Sequence, residues 1–265
     1  MLTEWHLSSS CQENKFSNLE KFIIQTPELE GLRRYQYPFA AYDQKYRVSY
    51  LSGVKFLDSF EPTSTLVEFV SRNRLRQGAR VVEFGCGEGR DALFLAKRGY
   101  RVLGIDTSAA ALGRASLRSR REQAKSEFML AEISSVLPFT DSSFDLALNI
   151  DSIHLILTRK ARLSHFREAR RVLSNEGFYF LCAHTGRRSS KFREGASKNT
   201  TVGPMKTKIR LPIPPAFVGT ATRYQKELEA AGFSVIEERS GFAAPIPAHI
   251  STIISRKDQS LHKDA

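Results

Sequence analysis

The chain has 265 residues, enough for one large domain or two small ones, and its 41% hydrophobic and 26% charged composition excludes a disordered polymer. No apolar run approaches the roughly 20 residues of a membrane span. A net charge of +12 and a pI near 9.8 ask for an anionic partner, without choosing among small anions, nucleic acid and anionic membrane surfaces.

Cys11, Cys86 and Cys182 are scattered, so neither a disulfide framework nor a zinc spacing is expected. The stretch MLTEWHLSSSCQENKF carries acids and lacks an apolar signal core, and a reduced, cytoplasmic protein is the expectation. Residues 1–75 read as a helical cap. Leu19, Phe22 and Ile23 recur at helical spacing, and Thr65-Leu66-Val67-Glu68 reads as a capping box ahead of Phe69 and Val70. Between them YQYPFAAYDQKYRVSY holds five of the chain's eight tyrosines.

From Arg80 the rhythm changes. Strands are expected near 80–85, 101–105, 127–131 and 144–149, helices near 90–98, 109–124 and 159–173, and a fifth strand, GFYFLCAH, ends at His184. This alternation predicts an α/β fold with a mostly parallel sheet and helices on both faces, its strands reading as continuous apolar runs. Residues 186–215 break the pattern and read as a long loop or lid; from 186 to 210 they hold eight Lys or Arg against one acid, Glu194. TATRYQKELEAAGFSVIEERS reads as a helix stopped at Gly232 and then a strand, and PAHISTIISRK as a last strand. The expected organisation is a cap over 1–75, a domain over 76–257 with a basic lid at 186–220, and a flexible tail over 258–265.

The stretch VVEFGCGEGRDALFLAKRGYRVLGIDTS carries the chemistry. Gly85, Gly87 and Gly89 fall where a strand hands over to a helix, letting the backbone turn tightly and a ligand approach the main chain. The helix start favours an anionic group. The spacing is G-x-G-x-G, not the dinucleotide G-x-G-x-x-G, since Arg90 holds the last position of that pattern. Asp106 stands at the end of the second strand, where a carboxylate can accept both hydroxyls of a ribose.

These residues resemble the class I S-adenosylmethionine-dependent methyltransferases. Glu83-Phe84-Gly85-Cys86-Gly87-Glu88-Gly89 matches their first motif, and Asp106 in LGIDTS matches their ribose-binding acid. AEISSVLPFTDSSFDLALNIDSIHLI and REARRVLSNEGFYFL are similar to their third-to-fourth and fifth strand regions, so the likeness runs from about residue 78 to 255. Within the family the motif is most similar to bacterial small-molecule enzymes of the thiopurine and tellurite type. The resemblance implies a Rossmann-like seven-stranded sheet with an antiparallel last strand and S-adenosylmethionine as cofactor. Glu83, Gly85, Cys86, Gly87, Gly89, Asp106 and Thr107 would surround that cofactor, with Glu132 and Ile133 at its adenine and Asn149 and Ile150 at its methionine end.

Glu83 also reads as a structural acid bonded to backbone amides, and Cys86 as a small buried filler. Asp151 and His154 open at the carboxyl edge of the sheet, where His154 is the first choice of general base and Asp151 the second. Tyr42 and Tyr46 can face the sulfonium, and His184 the acceptor. No spacing suggests a metal. The implied activity is methyl transfer to an O, N or S atom of a small molecule, an anion being the form a basic lid suits. RNA methylation is the alternative; against it, Asn149-Ile150-Asp151-Ser152 stands where base-amino methyltransferases carry Asn/Asp-Pro-Pro-aromatic. A non-catalytic cofactor-binding module is the other.

Overall fold

The strand–helix alternation read from Arg80 onward is what forms. A computed structural model describes residues 38–53, 60–202 and 207–259. The helical spacing at Leu19, Phe22 and Ile23 and residues 260–265 of the tail lie outside the described residues. Two helices come first, α1 (Pro38–Leu51) and α2 (Ser64–Asn73). Then follow β1 (Arg80–Phe84), α3 (Arg90–Lys97), β2 (Arg101–Asp106), α4 (Ala109–Arg121), β3 (Ser126–Leu130) and β4 (Phe144–Ile150). A 3-10 turn (Ile153–Leu155) leads into α5 (Arg159–Val172), and β5 (Leu173–His184) closes this half. Four strands, β6 (Lys191–Arg193), β7 (Ala196–Val202), β8 (Thr207–Ile213) and β9 (Ala216–Val218), precede α6 (Ala221–Glu229). The chain ends on β10 (Phe233–Ala243) and β11 (Ile246–Lys257).

Seven strands form one sheet in the order β10-β11-β5-β4-β1-β2-β3. The β3-β2-β1-β4-β5 block is parallel, whereas β11 runs antiparallel to both β5 and β10. Period-two side-chain direction splits the core between the two faces. Val81, Leu146 and Leu148 pack with Leu66 and Phe69 of α2 and Leu93 and Leu95 of α3. Val82 and Phe84 pack with Phe166 and Ala169 of α5 and Tyr224 and Leu228 of α6. Each such side chain contributes roughly 1.5–3 kcal/mol by leaving water. Strand order reverses direction between β1 and β4, so a crevice opens beyond their carboxyl ends, where open α/β sheets hold ligands.

Two expectations need correction. Helix α2 begins at Ser64 with Thr63 as its N-cap, so Thr65 and Glu68 lie inside the helix and form no capping box. The Thr63 hydroxyl makes no cap bond because the buried Asp91 of α3 takes it: its carboxylate accepts from Thr63 N at 2.7 Å and from Thr63 Oγ1 at 2.9 Å. The second correction concerns 186–215, which is not an irregular loop. There β7 pairs antiparallel with β8, and β6 with β9. Residues 191–199 are exposed whichever way they point, so β6 and the described part of β7 leave no apolar–polar alternation in the sequence to betray them. Its strand β8 packs against α1, joining two segments far apart in the chain. Among the described residues no helix is long and apolar enough to cross a membrane.

Candidate active site

The glycine turn between β1 and α3 forms the floor of the site. Gly85 N and Cys86 N both donate to Ile105 O, at 2.7 and 3.0 Å, which ties the turn to β2. Gly85 and Gly87 have φ of 76° and 54°. A Cβ on Gly85 would stand 2.4 Å from the Ser152 side chain, and one on Gly87 would stand 2.7 Å from the Tyr46 hydroxyl. Only glycine meets both the conformation and the close approach. Gly89 ends the turn as the N-cap of α3.

Above this turn lies a cleft of about 430 Å³, counting space open to solvent. Its walls are Tyr42, Tyr46, Gly85, Asp106, Thr107, Ile133, Asp151, Ser152, Leu155 and Ile156, which come from α1 and from the ends of β1, β2, β3 and β4. Asp106 is buried, and its two carboxyl oxygens accept from Gly87 N and Ser108 N, each at 2.8 Å. Each oxygen keeps a lone pair, so two further hydroxyls can be accepted side by side. Burial raises the Asp106 pKa, and these backbone donors oppose the rise.

Glu83 lies beneath the turn and does not line the cleft. Burial, and then the charge of Asp91, push its pKa well above the usual carboxylate value, and its Oε2 has no hydrogen-bond partner. Cys86 is also buried, its thiol pKa pushed up by burial, and its sulfur fills the space over Gly104. Ile133 reaches the wall of the cleft but Glu132 does not; Ser134 donates to the Glu132 carboxylate at 2.5 Å.

At the end of β4 the structure departs from the sequence reading. Asn149 is fully buried, with its Oδ1 accepting from Ser152 Oγ at 2.8 Å and from Ile153 N at 3.0 Å. It holds the 3-10 turn in place and is not a cleft residue. Its Nδ2 lies 3.1 Å from His165 Nε2, and His165 Nδ1 lies 2.9 Å from Ile133 O. Ile150 packs into the core on the α2–α3 side. The side chains that do reach the cleft are Asp151, Ser152, Leu155 and Ile156.

The two candidate bases meet a third residue here. His184 Nε2 lies 2.7 Å and His154 Nδ1 3.7 Å from Asp151 Oδ1. The two imidazoles stack with centroids 4.9 Å apart and planes 17° from parallel. Burial pushes the pKa of His154, the first-choice base, down to about 4, and the Asp151 charge only partly opposes this. Burial also raises the pKa of Asp151, but the two histidines outweigh it and hold the carboxyl below its ordinary range.

Helix α1 forms the roof. Asp43 accepts from Ser108 Oγ at 2.7 Å and from Ala110 N at 3.2 Å at the start of α4, where the helix dipole favours a carboxylate. Tyr50 donates to Glu88 at 2.6 Å. Thus anchored, α1 places Tyr42 and Tyr46 edge to face, 5.1 Å apart, over the glycine turn. Lys45, on the same helix, has its pKa lowered by burial and then by the charge of Arg193 of β6, while Asp151 raises it, so Lys45 is within electrostatic reach of both.

Sequence reasoning brings Gly85, Asp106, Thr107, Ile133, Asp151, Tyr42 and Tyr46 to the cleft walls and misses Ser152, Leu155 and Ile156. A turn directly after β4 was the available signal for these three. Nothing local marks His165, whose partners are distant in the chain.

A family model described as a methyltransferase domain matches residues 82–181. An uncharacterized methyltransferase of Schizosaccharomyces pombe is 30% identical over 118 residues, covering 43% of this chain and 77% of that protein. The fatty-acid O-methyltransferase of Mycolicibacterium smegmatis is 36% identical over 107 residues, covering 40% of this chain and 36% of its own length. The matched region spans less than half the length of curated relatives such as the latter. A solved structure, the Burkholderia thailandensis 1,6-didemethyltoxoflavin-N1-methyltransferase with bound 1,6-didemethyltoxoflavin and S-adenosylhomocysteine, superposes with a TM-score of 0.60 at 16% identity. It covers 82% of this chain and 88% of that one. At that identity the likeness speaks for the fold.

Proposed function

The chain belongs to the class I S-adenosylmethionine-dependent methyltransferases, and we propose that it moves a methyl group from this cofactor to a small anionic molecule held under α1. One observation carries this reading: Gly85, Asp106 and Asp151 line a single cleft. Two features of the site fit the cofactor. The glycine cradle has no room for a Cβ, and the paired oxygens of Asp106 suit a ribose diol.

When bound, the cofactor supplies a methyl group already activated on a sulfonium. The residues of the chain bind, orient and exclude water. Asp106 and Thr107 would hold the ribose, Ile133 would wall the adenine, and Tyr42 and Tyr46 would offer ring faces and edges to the positive sulfur, worth roughly 0.5–2 kcal/mol. Holding an acceptor in line with the methyl contributes up to roughly 7–11 kcal/mol of the barrier. With its pKa near 4, His154 is neutral at neutral pH and is not matched to proton abstraction there. An acceptor that is already an anion needs no such base, and the positive charges of Lys45 and Arg193, both felt at His154, favour one. The relative named a fatty-acid O-methyltransferase points the same way.

Calorimetric titration with S-adenosylmethionine and S-adenosylhomocysteine tests the cofactor half of the reading, with micromolar binding of both expected. Asp106→Ala should weaken both, by the roughly 1–3 kcal/mol typical of a lost buried acceptor. A folded protein that binds neither compound would sink the proposal. Methyl transfer to a panel of small carboxylates, with RNA as comparator, tests the acceptor half; transfer to RNA alone, weakening steeply with salt, would replace it with the nucleic-acid reading.

A further inference from the structure

We propose that Asp151, His154 and His184 form a binding site for one divalent transition-metal ion at the acceptor end of the cleft. Their donor atoms, one from each residue, all lie within 4.8 Å of one another. Three further observations converge on the same point.

The first is the state of those atoms. Asp151 Oδ1, His154 Nδ1 and His184 Nε2 are all shielded from solvent, and none makes a properly directed hydrogen bond. His154 as a whole is only 9% exposed. A single carboxylate oxygen is thus faced by two ring nitrogens, at 2.7 and 3.7 Å. A proton can satisfy one of those pairs and leaves the other nitrogen unmatched. An ion at the centre satisfies all three atoms at once. Donors on a tetrahedral ion with bonds near 2.0–2.1 Å sit roughly 3.3 Å apart, and the observed separations straddle that spacing.

The second is how the carboxylate is held. Asp151 has a φ of 53°, a left-handed backbone rare outside glycine and asparagine-like residues. Its N–H donates to Cys182 O at 2.8 Å, which fixes this conformation against β5. The strain turns the carboxylate toward His184 at the end of the neighbouring strand. Such strain collects at working sites.

The third is the donor set and its opening. Two imidazoles and one carboxylate select zinc, iron, cobalt or nickel over magnesium or calcium, and a three-residue set leaves positions open to solvent or substrate. Asp151 itself lines the cleft, so those open positions face the acceptor. Lys45 and Arg193 face the same cluster, and an ion there adds a third positive centre. An acceptor anion offsets all three. The site therefore completes an anion-receiving pocket.

Cobalt(II) alone is the probe, added to the chelator-stripped full chain and followed by its visible absorption and by equilibrium dialysis. Saturation at one ion per chain, with absorption typical of nitrogen-ligated cobalt, is expected. His184→Gln and Asp151→Asn should each weaken binding by tenfold or more, while His249→Gln, at a β11 histidine that meets Thr185 and lies outside the cluster, should leave it unchanged. S-adenosylhomocysteine binding, measured on every variant, reports folding and the cofactor site independently of the metal. No saturable cobalt binding by a chain that binds S-adenosylhomocysteine would overturn the site. So would unchanged affinity in His184→Gln, or an equal loss in His249→Gln.

Discussion

Gly85 shows how little freedom a single position in this site has. Its φ of 76° and a would-be Cβ 2.4 Å from Ser152 impose two separate penalties on any side chain. The left-handed backbone alone costs an alanine roughly 1–2 kcal/mol. The overlap adds to it, because Ser152 is fixed by bonds to Phe84 O at 3.0 Å and Asn149 Oδ1 at 2.8 Å and cannot step aside. Gly85→Ala is expected to lower the melting temperature and abolish S-adenosylhomocysteine binding. Adding Ser152→Gly should recover part of the stability, since it removes the colliding atoms but not the backbone strain. If the double variant melts no higher than the single one, the overlap is not the cause.

At the scale of elements, α5 and α6 are clamped by a buried ion pair that also steadies the cleft. Arg162 meets Glu227 through two bonds of 2.8 and 2.9 Å, and both side chains are 1% exposed. The same guanidinium donates to Ile156 O at 2.9 Å and Leu157 O at 3.0 Å, just beyond the 3-10 turn. Burial raises the pKa of Glu227, but the bonds from Arg162 and Arg223 outweigh it and leave the pKa lowered. A carboxyl with a depressed folded pKa contributes stability above its unfolded pKa, about 4.3, and loses it as pH falls through the folded value. Glu227→Gln should therefore cost about 3–5 kcal/mol at pH 7, the usual penalty for halving a buried pair. The gap from the parent protein should close below about pH 4. Denaturant melts at the two pH values decide this; a gap that persists in acid would mean that Glu227 acts through packing and not charge. The β7–β8 ribbon stands at the other extreme, exposed at residues 196–199 and in contact with α1 through β8. Replacing 196–213 by a short flexible linker should leave the seven-stranded sheet folded and raise the acceptor KM more than the cofactor Kd, measured by melting and steady-state kinetics.

For the whole molecule, the cleft is walled by α1 and the ends of four sheet strands, so a ligand there ties separate parts of the chain together. S-adenosylhomocysteine at 100 times its Kd should stabilise the fold by about 2.7 kcal/mol. For a chain of this size, that is a rise in melting temperature of roughly 5–10 °C. Asp106→Ala should show a smaller rise at the same concentration, equivalent to about 0.3–1.8 kcal/mol for an affinity loss of about 1–3 kcal/mol. An equal rise in both proteins would place the ligand elsewhere.

The amino-acid sequence by itself determined the sheet, the glycine turn and Asp106, because these depend on neighbours in the chain: apolar runs, helix periodicity and a loop whose backbone must turn sharply. What only the tertiary structure decided joins distant segments. The hydroxyl of Tyr46 rests over Gly87, and Asp43 sits at the start of α4. Asn149 looks like a ligand residue in sequence, yet a buried network with Ser152 and His165 consumes its amide. Burial moved His154 out of the range its residue type suggests. Asp151 follows directly on β4 and His184 ends its parallel neighbour β5, and their 2.7 Å approach follows from the β4–β5 register, which no local spacing encodes.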